Sequence, residues 1–170
     1  MWVGSEYPGT ATTGRSTYRR ESLTIAVKTG GNLAASATRD TSMNRDEMNS
    51  ASRARFVPAL RQLGLQGSLP HYRRQRDSRV DLLTVQFDRH GGGFVVELAQ
   101  CGADGITTHW GEIIPATNVT AHDLHPRQRH RLGASGPNQD CWFRFDDGSS
   151  PMVVADTLCA HIAEAEHWWA

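Results

Sequence analysis

The chain has 170 residues and a mass of 18.8 kDa, a length that favours one domain with room for a tail. Eighteen Lys plus Arg balance eighteen Asp plus Glu at a pI near 7.1, which excludes a strongly basic nucleic-acid binder or a polybasic membrane-surface protein. With 38% hydrophobic residues and a mean hydropathy of −0.50 there is apolar material for a core, but no apolar run approaches the 18 residues of a membrane span.

Residues 1–45 are rich in Ser, Thr, Gly and Ala and poor in large apolar side chains. Such a segment buries too little to offset its ordering entropy, so it is expected to be a disordered tail, or not to be translated at all if synthesis starts at Met43. The one stretch with a signal-peptide flavour, residues 23–37, has its apolar part interrupted by Lys28, Gly30 and Gly31. Cys101, Cys141 and Cys159 are odd in number and form no CxxC pair, so no secreted disulfide framework is expected. Together these features point to a cytoplasmic protein, in which the Asn118-Val119-Thr120 sequon has no meaning.

From Asp46 the pattern turns helical, with Met48, Ser52, Phe56, Ala59, Leu60 and Leu63 on one stripe. Gly64 ends it, and Pro58 predicts a kink or a restart at that proline. Gly67, Ser68 and Pro70 mark a turn, after which residues 71–76 form a short strand. Residues 80–89 alternate, with Leu83, Val85 and Phe87 on one side. Gly91-Gly92-Gly93 turns the chain into a returning strand over residues 94–101, with Phe94, Val96 and Leu98 inward. Residues 107–114 predict a further strand, residues 115–138 a long loop, and residues 141–146 a strand with Phe143 and Phe145 inward. Ser150 and Pro151 start a last helix whose stripe is Val154, Leu158, His161, Ile162, Ala165 and Trp169. The order predicts a two-layer α+β domain over residues 46–170, an antiparallel sheet of four to five strands with both helices on one face.

The stretch Phe56 to Leu65, His71-Tyr72-Arg73-Arg74, Val85-Gln86-Phe87, Arg131-Leu132-Gly133, Asp140 to Phe145 and Trp168-Trp169 occur in an order that resembles domain-of-unknown-function family 4304. Leu65 departs from it, standing where an aromatic residue is expected after the glycine. The resemblance covers roughly residues 46–170. It implies the fold and supplies no catalytic residue.

Candidate sites are few. His122, His125 and His130 make an H-x2-H-x4-H cluster of the residue type that zinc prefers, though the spacing fits no standard motif and Pro126 breaks any helix through it. If these imidazoles converge, the protein is a metal-assisted hydrolase. Arg73, Arg74, Arg76 and Arg79 read as a solvated strand edge. The glycine triplet lies between strands and so reads as a turn, not a phosphate cradle. Asp88 and Glu97 could meet across the hairpin as carboxylates. The sheet face away from the helices carries Gln86, Glu97, Trp142 and Arg144, and suits a ligand or protein partner unless the 105–138 loop, with Trp110, packs over it. The leading expectation is therefore a non-catalytic interaction or ligand-binding module using Trp142, Arg144, Glu97, Gln86 and Trp110, without cofactor, nucleic acid or membrane.

Overall fold

The computed structural model describes residues 45–136 and 139–170. The tail expected over residues 1–45 lies outside the described residues, except for Arg45, which is already helical. Helix α1 runs through residues 45–54 and α2 spans Phe56–Gln62. Met48, Ser52, Phe56 and Leu60 are buried along one stripe, as the periodicity requires. The break falls at Arg55, three residues before Pro58. A proline clashes with the carbonyl four residues back, so the helix must yield upstream of Pro58 and restart with it inside the new first turn. Gly64, at φ +82°, then lets the Leu65 N–H return to the Leu60 carbonyl and end α2.

The strands are β1 (Gln66–Ser68), β2 (His71–Gln75), β3 (Arg79–Phe87), β4 (Gly93–Gly102), β5 (Ile106–Thr107), β6 (Ile113–Ile114), β7 (His130–Arg131) and β8 (Phe143–Arg144). Helices α3 (Pro151–Ala160) and α4 (Ile162–Trp169) follow. The main sheet is antiparallel throughout, in the order β1-β2-β3-β4-β7, with β8 sharing the β4 edge with β7. In the central hairpin Val85 opposes Val96 and Leu83 opposes Leu98. These four residues, with Phe94 and Phe143, pack beneath Phe56, Leu60, Val154, Leu158 and Trp169, so the N- and C-terminal helices share one face. The fold is α+β, as the element order predicts.

Several elements differ from the sequence reading. The turn residues Gly67 and Ser68 belong to β1, and the turn itself is Leu69–Pro70. The strand expected over residues 107–114 is two two-residue strands, β5 and β6, which pair with each other in a sheet of their own. Only Phe143–Arg144 of the 141–146 stretch is strand, yet Phe143 and Phe145 both point inward as alternation demands. The last helix is interrupted at His161, whose N–H closes back onto the Leu158 carbonyl in a tighter turn. Among the described residues no helix is long and apolar enough to cross a membrane.

The arginine cluster is not a solvated edge. Arg74 is buried and donates from Nε and Nη2 to Asp81 Oδ2 at 3.0 and 2.8 Å. Arg76 also reaches Asp81 Oδ2, at 3.2 Å, and Arg79 Nε lies 3.3 Å from Oδ1. Asp81 has odd parity on β3, like Leu83 and Val85, and therefore faces the helices. An acid there must be neutralised, and β2 and β3 supply the cations. The same arginines hold α4: Arg74 Nη1 lies 2.7 Å from Glu166 Oε1, and its guanidinium sits 5.2 Å from the Trp169 ring.

Candidate functional site

The sheet face away from the helices is covered over most of the central hairpin. Val80 and Leu82 of β3, with Ala99 and Cys101 of β4, pack against Val119, Ala121 and Leu124 in a second core. The covering segment coils through two 3-10 turns, Ala121–Asp123 and Pro126–Gln128. Asp123 caps the first by accepting from the Thr120 N–H at 2.7 Å. Ala121 N–H donates to Thr84 Oγ1 at 3.3 Å, and Thr84 in turn meets His71 Nδ1 at 3.1 Å, which pins the cover to β2 and β3. Burial, His122 and Arg73 together hold the His71 imidazole below its ordinary pKa.

Glu97 sits at the edge of this cover and is 4% exposed. Its carboxylate accepts from Arg129 Nη1 at 3.1 Å and Arg131 Nε at 3.4 Å, and lies 3.3 Å from His122 Nε2. Arg129 also donates to the carbonyls of His122 and Leu124, so one guanidinium knots the cover to the buried acid. Glu97 stands opposite Thr84 in the register and makes no carboxylate pair with Asp88.

Two grooves flank this knot. The first, of about 660 Å³, lies between the β5–β6 hairpin and the two 3-10 turns, with Trp110, His109, His122, His125 and Pro126 in its walls. The hairpin is set in place by Gly105, whose φ is +94° and where a Cβ would lie 2.1 Å from the Ile114 carbonyl oxygen. Trp110 at the hairpin tip is 65% exposed, donates from Nε1 to Glu112 at 3.0 Å, and meets the His109 ring edge-on at 4.4 Å between centroids. The second groove, of about 630 Å³, is lined by Arg127, Arg129, His130, Arg131 and Asp140 around the Glu97 carboxylate, and Pro126 walls it as well.

The residues singled out from sequence do not form one surface. Trp110, His122 and His125 line the first groove; Glu97 and His130 line the second. Gln86, Trp142 and Arg144 line neither, and Arg144 is ion-paired with Asp146. The histidines of the proposed metal cluster turn to separate partners. His122 faces Glu97, His125 Nδ1 accepts from the Arg127 N–H at 3.2 Å, and His130 Nε2 lies 2.8 Å from Glu164. Among the described residues no three His, Cys, Asp or Glu side chains are grouped to hold a metal. The sequence reading missed Arg127, Arg129 and Arg131, although an arginine at every second position beside a proline is a visible signal for one cationic strip.

A further polar knot joins β7 to α4. Glu164 accepts from the Gly133 N–H at 2.9 Å, and its oxygens lie 2.8 Å from His130 and 3.0 Å from His161. Burial pushes its carboxyl up, but the bonds from His130, Gly133 and His161 outweigh it and leave the pKa below the usual value. The three cysteines are free thiols, each raised above its ordinary pKa chiefly by burial, which argues against an activated nucleophile.

No curated protein and no solved structure matches the chain. The model of the family described as "Domain of unknown function (DUF4304)" matches residues 56–170, from the start of α2 to the last residue of the sequence. That span holds every strand among the described residues, both 3-10 turns and both grooves, and the chain belongs to the DUF4304 family.

Proposed function

We propose that the domain is a non-catalytic binding module whose small ligand lies in the groove between the β5–β6 hairpin and the 3-10 turns. One observation carries this reading: Trp110 stands 65% exposed at the tip of a hairpin that, among the described residues, pairs with no other strand, and it lines a concave surface together with three imidazoles. A large apolar ring held out of the core is an unpartnered contact surface. The groove sets one indole and three imidazoles among apolar and neutral polar residues, with Asp123 its one carboxylate, a lining that suits a small ligand. The cysteines lie outside this groove, and among the described residues no three His, Cys, Asp or Glu side chains are grouped to hold a metal. The 105–138 loop expected to serve binding thus supplies the groove, whereas Trp142, Arg144 and Gln86 lie apart from it.

The test is a fragment screen read by amide and indole NMR shifts on the full chain. Binders should shift residues 106–128 and the Trp110 indole resonance, and Trp110→Ala should abolish those shifts while leaving the melting temperature almost unchanged. Binders that shift only residues around Trp142, or an unaltered response in Trp110→Ala, would overturn the reading.

A further inference from the structure

Resting on that reading, we infer that the two grooves act as one site for a planar heteroaromatic ring carrying a phosphate, a mononucleotide in the simplest form. Pro126 is the common wall: the aromatic groove lies on one side of it and the arginine groove on the other. A ligand that straddles Pro126 must have an apolar, stackable part and an anionic part.

The aromatic half presents a polar edge as well as a stacking surface. His125 Nδ1 accepts the Arg127 N–H, so the neutral ring carries its proton on Nε2 and offers a donor. His122 adds a second imidazole to this wall, with its Nε2 3.3 Å from the Glu97 carboxylate. Imidazole nitrogens beside an indole match the edge and face of a nitrogen heterocycle. Trp110 supplies the face, because every such ring stacks on an indole.

The anionic half is prepared by Glu97. By accepting from Arg129 and Arg131 it fixes both guanidinium groups, and fixed donors bind oxyanions without further ordering. Arg131 Nη1 already grips an exposed carboxylate, that of Asp140, in this groove. The Asp140 carboxylate marks where an oxyanion is accepted, and it is a competitor that a phosphate would displace. Arg127 stands exposed on the groove wall and makes no ion pair among the described residues. It is the cation left over for a ligand.

Calorimetric titrations of the full chain with AMP, adenosine and inorganic phosphate, at fixed ionic strength, test this. AMP should bind about tenfold or more tighter than either part alone, since each half adds a charge-assisted or stacking contact. Trp110→Ala and Arg127→Ala should each weaken AMP about tenfold, the first also weakening adenosine and the second leaving adenosine unchanged. Asp140→Asn should tighten AMP and phosphate without altering adenosine. All three positions are exposed, and equal melting temperatures would certify the folds. Adenosine binding as tightly as AMP, or Arg127→Ala without effect on AMP, would overturn the anionic half while the groove reading survives. Failure of all three compounds to bind at millimolar concentration, with fragments still shifting residues 106–128, would overturn the whole inference and spare the binding module. No binder of any kind at residues 106–128 would overturn both.

Discussion

Phe143 and Trp142 are neighbours in sequence and opposites in environment. Phe143 is 5% exposed and stacks on Phe94 at 5.4 Å between centroids, whereas Trp142 is 38% exposed. Phe143→Ala should cost about 3–5 kcal/mol through lost burial and a cavity, and Trp142→Ala clearly less. Chemical denaturation of the two variants measures this, and equal losses would mean that Trp142 is covered in solution. Glu164 gives a second residue-level prediction, through pH. Its folded pKa lies below the unfolded value, so the folded state holds the proton less tightly than the unfolded chain. Its stabilising contribution is therefore complete above the ordinary carboxylate range and is lost as pH falls through the folded value. Glu164→Gln should flatten the acid limb of the stability profile while lowering stability at neutral pH. An acid limb unchanged in Glu164→Gln would show that His130, His161 and Gly133 do not depend on the carboxylate.

At the scale of elements, legibility followed periodicity. The β3–β4 hairpin was legible because alternating apolar residues run for eight or more positions and glycines mark its turn. Helix α2 and the start of α3 were legible from their stripes and from the Gly64 and Ser150-Pro151 signals. Strands of two residues, such as β5, β6 and β7, carry no period to detect, and pairing partners far along the chain decide them. The cover could be named only as an alternative to an open face, since Val119, Ala121 and Leu124 lie in and around a 3-10 turn without a regular stripe. A signal existed on the strands beneath it: Val80, Leu82, Val95, Ala99 and Cys101 make the nominally outer face apolar, which is the mark of a sheet buried on both sides. The candidate site was less legible than the fold, because the grooves that hold Trp110, His122 and Arg131 depend on that cover. The attachment of α4 was hidden in an apparent charge run. Asp81→Ala should cost about 3–5 kcal/mol, because it strands the buried Arg74 without its main partner. A loss below about 1 kcal/mol in denaturation would reduce the network to ordinary surface pairs.

The whole domain is a sheet between two unlike covers. On one side helices pack a large core of Phe, Leu and Trp; on the other an irregular segment packs a smaller core of Val, Ala and Leu and carries both grooves. This arrangement gives the proposed binding surface a firm base, since the coil that forms it is pinned at Thr84, Glu97 and the second core. Leu82 and Leu83 separate the two cores at single-residue resolution. They are adjacent on β3, both are 1% exposed, and they face opposite sides. In a two-layer domain with one open face, Leu82→Ala would remove a solvent-facing side chain and change little. With both faces packed, Leu82→Ala and Leu83→Ala should each cost about 2–5 kcal/mol. Their hydrogen-exchange signatures should differ. Leu82→Ala should raise exchange most at residues 119–124, where its partners lie, and Leu83→Ala at the helices. A negligible loss in Leu82→Ala, with residues 119–124 exchanging freely in the parent protein, would mean that the cover detaches in solution and that the grooves lose their floor. Comparable losses with separate exchange patterns would establish the second core as the support on which any ligand site must rest.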